Sequence, residues 1–259
     1  MRLQDLGDYL RLRRFLIRPW AFLRLRKHPP AEPFFEVALR DGTSIRLRTA
    51  AHDRHVLHRV FARDEYRLND VPPGSYDTVI DVGGHIGTFA IRASGIARRV
   101  LCFEPTPESY ELLSRNVARH PNVTAFPLGV AGRRGTMTLH VGVSPSRNSM
   151  FPSEPERSKG TLSAETVTLE DIFREQAIER CDLLKIDCEG AEYDILYATP
   201  KELWPRIART CLEYHPVAHG EKHWTGEHLL EFLAQRGHAA TLHPSAKDPR
   251  QGLLFSTRR

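Results

Sequence analysis

DTVIDVGGHIGTF, from Asp77 to Phe89, reads as an apolar strand ending in Asp81, a glycine-rich bend and the opening of a helix. Glycines at 83, 84 and 87 remove the Cβ atoms that would hold a ligand off the backbone, and they permit positive φ where strand turns into helix. Seventeen residues beyond Gly87 a second apolar run, RRVLCFEP, ends in Glu104, the position from which an acidic side chain meets a ribose diol. The spacing predicts nucleoside recognition.

The bend also discriminates among nucleosides. A dinucleotide fold uses G-x-G-x-x-G to bring a helix N-terminus onto a pyrophosphate, whereas here Asp81 precedes the glycines and would repel phosphates. The same carboxylate suits a cationic ligand, and S-adenosylmethionine offers an ammonium and a sulfonium. A nucleotide site or a tight strand-to-helix turn remains as an alternative for this loop taken alone.

Around this stretch strand and helix patterns alternate. Strands are expected near 77–82, 99–103, 123–128, 181–187 and 209–214, with helices near 86–94, 107–119, 169–176, 190–197 and 226–236. Such alternation predicts an α/β, doubly wound, mostly parallel sheet with ligands at the carboxyl ends of its strands. Asp81, Glu104, Asp187 and Glu213 fall at or near such ends. Thr168 and Thr225 read as N-caps, and Gly237 as a helix stop. HAATLH and GLLFSTR read as two last strands, and Pro145 to Ser163 as a loop or lid.

The run CDLLKIDCEGAEYDIL, Cys181 to Leu196, carries Lys185, Ile186, Asp187, Glu189, Gly190 and Glu192. With DVGGHIG, Phe103 to Pro105 and Leu212 to Pro216 in order, the chain resembles the FkbM-type family of S-adenosylmethionine-dependent methyltransferases over about residues 50 to 216. The resemblance implies a Rossmann-like, seven-stranded methyltransferase sheet whose last two strands form an antiparallel edge pair. It implies S-adenosyl-L-methionine as cofactor, S-adenosyl-L-homocysteine as product, and O-methylation of a sugar, glycan precursor or polyketide-like natural product.

Site residues follow from the bend and the resemblance together. Asp81 and Gly83, with Gly84, His85 and Gly87, are expected at the methionine end of the cofactor, and Glu104 at the ribose. Phe103 and the backbone near Leu128, Gly129 and Val130 are expected at adenine, and Tyr66 over the cofactor. Glu65-Tyr66 resembles the family's G-E-Y element with Asp64 in place of the glycine. Asp187 and Glu189 are expected beside the transferred methyl, and Lys185, two residues from Asp187 on one strand face, could ion-pair with it. His215 shares a face with Glu213 and, with an ordinary pKa near 6.5, could take a proton at neutral pH. Glu213, Asn148 and Ser149 are candidate acceptor-binding residues.

Composition narrows the remaining classes. Hydrophobic content of 41% and charged content of 27% are ordinary for a globular protein and exclude disorder across the whole chain. Cysteines 102, 181, 188 and 211 form no C-x-x-C pair and read as free thiols of a cytoplasmic protein. The histidine series 52, 55, 58 and 215, 219, 223 lack a matching carboxylate motif. No metal site is therefore assigned, a divalent ion on Asp187 and Glu213 being the unfavoured alternative.

Three segments are expected: a basic amphipathic arm (1–30), a β-hairpin and helix leading in (31–74) and a methyltransferase domain (75–259). FFEVALRDGTSIRLRT, with Asp41-Gly42 at its centre, is the hairpin. Residues 1–28 interleave eight Arg and Lys with apolar side chains. That mixture admits peripheral contact with the inner face of a membrane, packing on the core, or a homodimer contact. The expected partner is a small-molecule or glycan acceptor, not nucleic acid. The rival functions are a non-catalytic or membrane-tethered S-adenosylmethionine-binding scaffold and, less favoured, a nucleotide-dependent oxidoreductase.

Overall fold

A computed structural model describes residues 3–142, 158–219 and 222–259. Helices α1 (Leu3–Leu12) and α2 (Pro19–Arg24) precede a hairpin, β1 (Phe34–Ala38) and β2 (Ser44–Arg48), and helix α3 (Asp53–Ala62). One half of the main domain then winds through β3 (Tyr76–Val82), α4 (Thr88–Ser94), β4 (Ala97–Phe103), α5 (Pro107–Val117) and β5 (Val123–Phe126). After β6 (Gly129–Val130), β7 (Gly135–Gly142) and β8 (Ser158–Val167), the other half runs through α6 (Leu169–Glu175), β9 (Leu183–Ile186), α7 (Glu192–Ala198) and β10 (Arg209–Tyr214). A small hairpin, β11 (Val217–His219) and β12 (Lys222–Trp224), leads to α8 (Gly226–Gln235), β13 (His238–Pro244) and β14 (Gly252–Arg258).

The main sheet has seven strands in the order β13-β14-β10-β9-β3-β4-β5. All neighbours from β5 to β10 are parallel, and β14 runs antiparallel between β10 and β13, so the expected edge pair is present. From β3 the chain steps outward to β4 and β5, then returns on the other side to β9 and β10. Between β3 and β9 the winding reverses, and a crevice opens there at the strands' carboxyl ends.

The sheet is covered on both faces, which is why its central strands read as unbroken apolar runs. Val79, Val100 and Leu183 face a core layer that includes Phe61, Phe89 and Leu113. Ile80, Leu101 and Leu184 face the opposite layer, with Phe173, Trp204 and Leu229. Successive residues of one strand serve opposite layers, as the two-residue period of the pleat requires.

The N-terminal segment joins the first layer. Leu12, Leu16 and Phe22 are buried with Val37, Ile45, Leu47 and Leu57. Pro19 opens α2 instead of breaking a longer helix, since its missing N–H falls where no intrahelical partner exists. The β7–β8 pair, with β6, forms a second three-stranded sheet that the alternation pattern does not announce. Residues 158–163 of the expected lid belong to β8, while 145–157, with Asn148 and Ser149, lie outside the described residues.

The bend after β3 depends on Gly83. Its φ is +79°, and a Cβ there would lie 1.9 Å from the carbonyl oxygen of Asp187. Gly42, in the hairpin turn, has a similar φ of +84° but open space around it. Gly42→Ala is expected to cost about 1–2 kcal/mol of backbone strain alone. Gly83→Ala should cost about 3 kcal/mol or more, because the β9 backbone must also move. Urea unfolding of the two variants checks the ordering, and equal losses would contradict it.

Candidate active site

A cavity of about 750 Å³ opens at the winding reversal. Its wall takes Gly83, Gly84 and His85 from the bend, Phe103 and Glu104 from the end of β4, and Gly129 and Val130 from β6. Lys185, Asp187, Glu189, Glu213 and His215 join from β9, β10 and the residues after them, and Tyr66 from the turn after α3. Asp81 and Gly87 stand behind this wall and do not line it.

At one end the bend and β4 lock together. The N–H groups of Gly83 and Gly84 both donate to the carbonyl of Phe103, at 3.0 and 2.9 Å. Glu104 is buried, and its two oxygens accept from His85 N and Thr106 N, each at 2.9 Å. Each oxygen keeps a lone pair for a further donor. Phe103 stacks on Phe126 with ring centres 4.7 Å apart, and Met137 and Leu139 of β7 add apolar wall.

The His85 ring is held from below. Its Nε2 lies 3.2 Å from Asp53 Oδ1 and 2.9 Å from Arg48 Nη2, and Arg48 itself pairs with Asp53 at 2.9 Å. Burial would raise the Asp53 carboxyl, yet its bonds to His85 and Arg48 bring it down to about 2. Neither partner was expected from the sequence, since β2 and α3 meet the bend only in the fold.

Lys185 does not pair with Asp187. Its Nζ sits 2.9 Å from Asp81 Oδ1 and donates to the carbonyl of Gly83 at 2.8 Å. The register explains this: Asp81 is directly opposite Lys185 across the β3–β9 ladder. Cross-strand partners lie closer than residues two apart on one strand. Asp81 is fully enclosed, and Cys102 Sγ donates to its other oxygen at 3.2 Å. Burial opposes the Lys185 ammonium, but Asp81 and then Asp187 outweigh it and raise its pKa.

At the other end acidic groups crowd together. Tyr66 Oη donates to Asp187 Oδ2 at 3.0 Å. Burial would raise the Asp187 carboxyl, yet Lys185, Arg59 and His215 hold it below the usual range. Glu189, at φ +52° with a third of its side chain exposed, is pushed by burial up to about 7; His215 pulls against this, and Asp187 and Glu213 add to it.

His215 stands among three carboxylates. Nδ1 lies 3.0 Å from Glu192 Oε1, and Nε2 3.7 Å from Glu189 and 4.0 Å from Glu213. Burial would depress the imidazolium, but Glu192, Glu189 and Glu213 outweigh it and raise His215 to about 10. This environment favours the imidazolium, in which Nδ1–H donates to Glu192. Glu192, fully buried, also accepts from Gly190 N at 3.1 Å and so ties the turn after β9 to His215.

Arg59 is the functional-looking side chain that sequence reasoning missed. Its guanidinium donates to Glu65 at 2.6 and 2.7 Å and to Glu213 at 2.6 Å. The one signal was spacing, because His52, His55, Val56 and Arg59 share a face of α3 and all line the cavity. Burial, against the pull of Arg59, pushes Glu65 up to about 7, and burial with Asp187 raises Glu213.

Among the described residues no group of three or more His, Cys, Asp or Glu is arranged to hold a metal ion. His58 faces Asp8 at 2.9 Å, and burial and neighbouring cations pull His55 down to about 4.

A seven-stranded sheet with this reversal, glycine bend and acidic β4 terminus defines a Rossmann-like methyltransferase. The family model for the methyltransferase FkbM domain matches residues 81–239, and the chain belongs to that family. Membership makes it a methyltransferase and implies S-adenosylmethionine as its methyl donor.

Among curated relatives, methyltransferase sdnD of Sordaria araneosa is 27% identical over 191 residues, 61% of this chain and 73% of its own. The 31-O-demethyl-FK506 methyltransferase FkbM of Streptomyces tacrolimicus is 26% identical over 212 residues, 69% of this chain and 81% of its own. Hexuronic acid methyltransferase AglP of Haloferax volcanii is 28% identical over 122 residues, 46% of this chain and 48% of its own.

Replacing Arg59 by Leu leaves Glu65 and Glu213 without their shared cation. The variant should lose about 2–4 kcal/mol of stability at pH 8. Carboxylates with raised pKa values take up protons as pH falls, so the loss should shrink by pH 6. Urea unfolding at the two pH values checks this, and a pH-independent loss would contradict it.

Proposed function

We propose that this protein transfers the methyl group of S-adenosylmethionine to a hydroxyl of a sugar, glycan precursor or polyketide-like natural product. One observation carries the reading: a single cavity joins the Glu104–Phe103 end to the cluster of Asp187, Glu189, Glu213 and His215. The named activities of the FK506 and hexuronic acid relatives support an oxygen acceptor on a natural product or sugar.

The chain's own groups fit the donor. The free lone pairs of Glu104 match the two hydroxyls of a ribose, and Phe103, Val130, Met137 and Leu139 provide an apolar slot for a purine. Asp81, sealed behind the wall, positions the bend through Lys185 instead of touching the ligand. When bound, S-adenosylmethionine supplies an electrophilic methyl group on a cationic sulfur. Asp187, held anionic and oriented by Tyr66, offers that region a fixed negative charge. Glu189 takes the acceptor hydroxyl proton, since its pKa of about 7 places it at the working point of a general base. Protonated His215, 3.7 Å from Glu189 and 4.0 Å from Glu213, holds both carboxylates electrostatically on the acceptor side.

Tritiated S-adenosylmethionine offered with a panel of sugar and macrolide alcohols tests the activity, and labelled acceptor is the expected product. Glu189→Gln should lower kcat about 10²–10⁴-fold while changing S-adenosylhomocysteine affinity little. Glu104→Gln should instead weaken that affinity about tenfold. With the wild type, kcat/KM should rise as Glu189 loses its proton near pH 7 and fall as His215 loses its own near pH 10. Full turnover by Glu189→Gln, or a flat profile through pH 7, would overturn the assignment of the base.

A further inference from the structure

A second cavity of about 610 Å³ lies between the N-terminal arm and the body of the protein. Arg11 and Arg14 line it from the arm, and Arg63 and Arg67 from the turn after α3. Three acids, Asp64, Glu65 and Asp70, share this lining, but among the described residues none of them makes an ion pair with the four arginines. Asp8 is shared, 3.4 Å from Arg63 and 3.9 Å from Arg11. Arg67 has no carboxylate partner among the described residues; it faces His243 Nε2 at 2.9 Å and the Phe255 ring at 4.0 Å. Arg14 makes no ion pair among the described residues; its guanidinium lies 5.6 Å from the Phe15 ring. Asp64 turns its carboxylate to the N–H groups of Leu68 and Asn69, and Glu65 is held by Arg59. Planar guanidinium groups converging on a cleft suit the tetrahedral oxygens of a phosphate.

The arm beside the cleft is apolar on its outer face. Leu12, Leu16 and Phe22 turn into the core, while Leu6, Leu10, Ile17 and Trp20 stay 37–52% exposed. These are four of the five exposed large hydrophobic side chains among the described residues, so the arm concentrates nearly all of that surface. Leu6 and Leu10 are one turn apart on α1, and Arg11 of the same helix lines the cleft. Tyr9 stacks on Trp20 at 4.5 Å and fixes α2 against α1. Arg13, Arg18, Arg24 and Lys27 of the same arm are also exposed.

We propose that this arm docks the protein on an anionic phospholipid surface, with Leu6, Leu10, Ile17 and Trp20 in the interface and a lipid phosphate in the four-arginine cleft. A soluble phosphate would use the arginines alone. The adjoining apolar surface, with a tryptophan and exposed cations on the same arm, is the composition that a headgroup boundary selects. Glu65 borders the cleft on one side and holds Arg59 of the catalytic cavity on the other, so a docked protein presents its methylation site near the membrane.

Flotation of the full chain with phosphatidylcholine vesicles containing roughly one-third phosphatidylglycerol tests this. Binding is expected to the mixed vesicles, to be absent on pure phosphatidylcholine, and to weaken with added salt. Removing two cations in Arg11→Ala/Arg14→Ala should lower partitioning about thirtyfold. Leu10→Glu/Ile17→Glu should abolish it, while a circular dichroism melt stays like that of the wild type because both side chains are exposed.

Equal binding to neutral vesicles, or unchanged binding by Arg11→Ala/Arg14→Ala, would overturn the proposal. So would pyrophosphate binding without vesicle binding, which would assign the cleft to a soluble anion. Light scattering that shows a dimer dispersed by Leu10→Glu/Ile17→Glu would assign the apolar face to a second copy instead.

Discussion

The buried ion pair between Asp81 and Lys185 is the constraint on which the site depends. It spans the two strands between which the winding reverses, at the level where the glycine bend leaves β3. Lys185 donates onward to the carbonyl of Gly83, while the space a Gly83 side chain would need is filled by the backbone of Asp187. One cation thus fixes the bend, and the bend fixes where Asp187 stands. Both charges are almost sealed from water, which is costly to arrange, and removal of either partner leaves an uncompensated charge in the core.

From that joint the cavity divides into two electrostatic regimes. Toward β4 a single carboxylate, Glu104, is held by backbone donors and left with outward lone pairs, a geometry for hydroxyl groups. Toward β10 five carboxylates, Glu65, Asp187, Glu189, Glu192 and Glu213, crowd around His215 and Arg59. Crowded acids cannot all ionise, so burial and mutual repulsion lift Glu65, Glu189 and Glu213 while the cations hold Asp187 down. The same residue type therefore serves as fixed anion at one position and titratable base at another, and His215 is kept charged by the acids around it.

Much of this was legible in sequence because its signals are local. The glycine bend, the apolar strands and the caps at Thr168 and Thr225 each depend on neighbours in the chain, whereas the antiparallel edge pair was implied by the family resemblance. The capping box of Thr168 with Asp171 is present as its spacing implies. What escaped depends on strand order or on helix placement. Lys185 finds Asp81 only because β9 lies beside β3, and Arg59 finds Glu213 across 154 residues. Asp64 looked like a departure from the family's glycine, yet it adopts φ +49°, and its side chain bonds to the N–H groups of Leu68 and Asn69. A short acidic side chain can occupy the left-handed region when it satisfies its own turn. The β6–β8–β7 sheet was missed because part of it was read as a loop rich in Pro and Ser.

The most direct measurement is a double-mutant cycle on Asp81→Asn and Lys185→Met, followed by urea unfolding and by calorimetric titration with S-adenosylhomocysteine. Each single variant should lose about 3–5 kcal/mol of stability, with the double variant recovering a large share of it. Titration should show the ligand affinity of both singles falling together, although neither side chain is assigned a direct contact. Additive stability losses, or a single variant that binds S-adenosylhomocysteine like the wild type, would contradict the claim that this pair holds the cofactor bend in place.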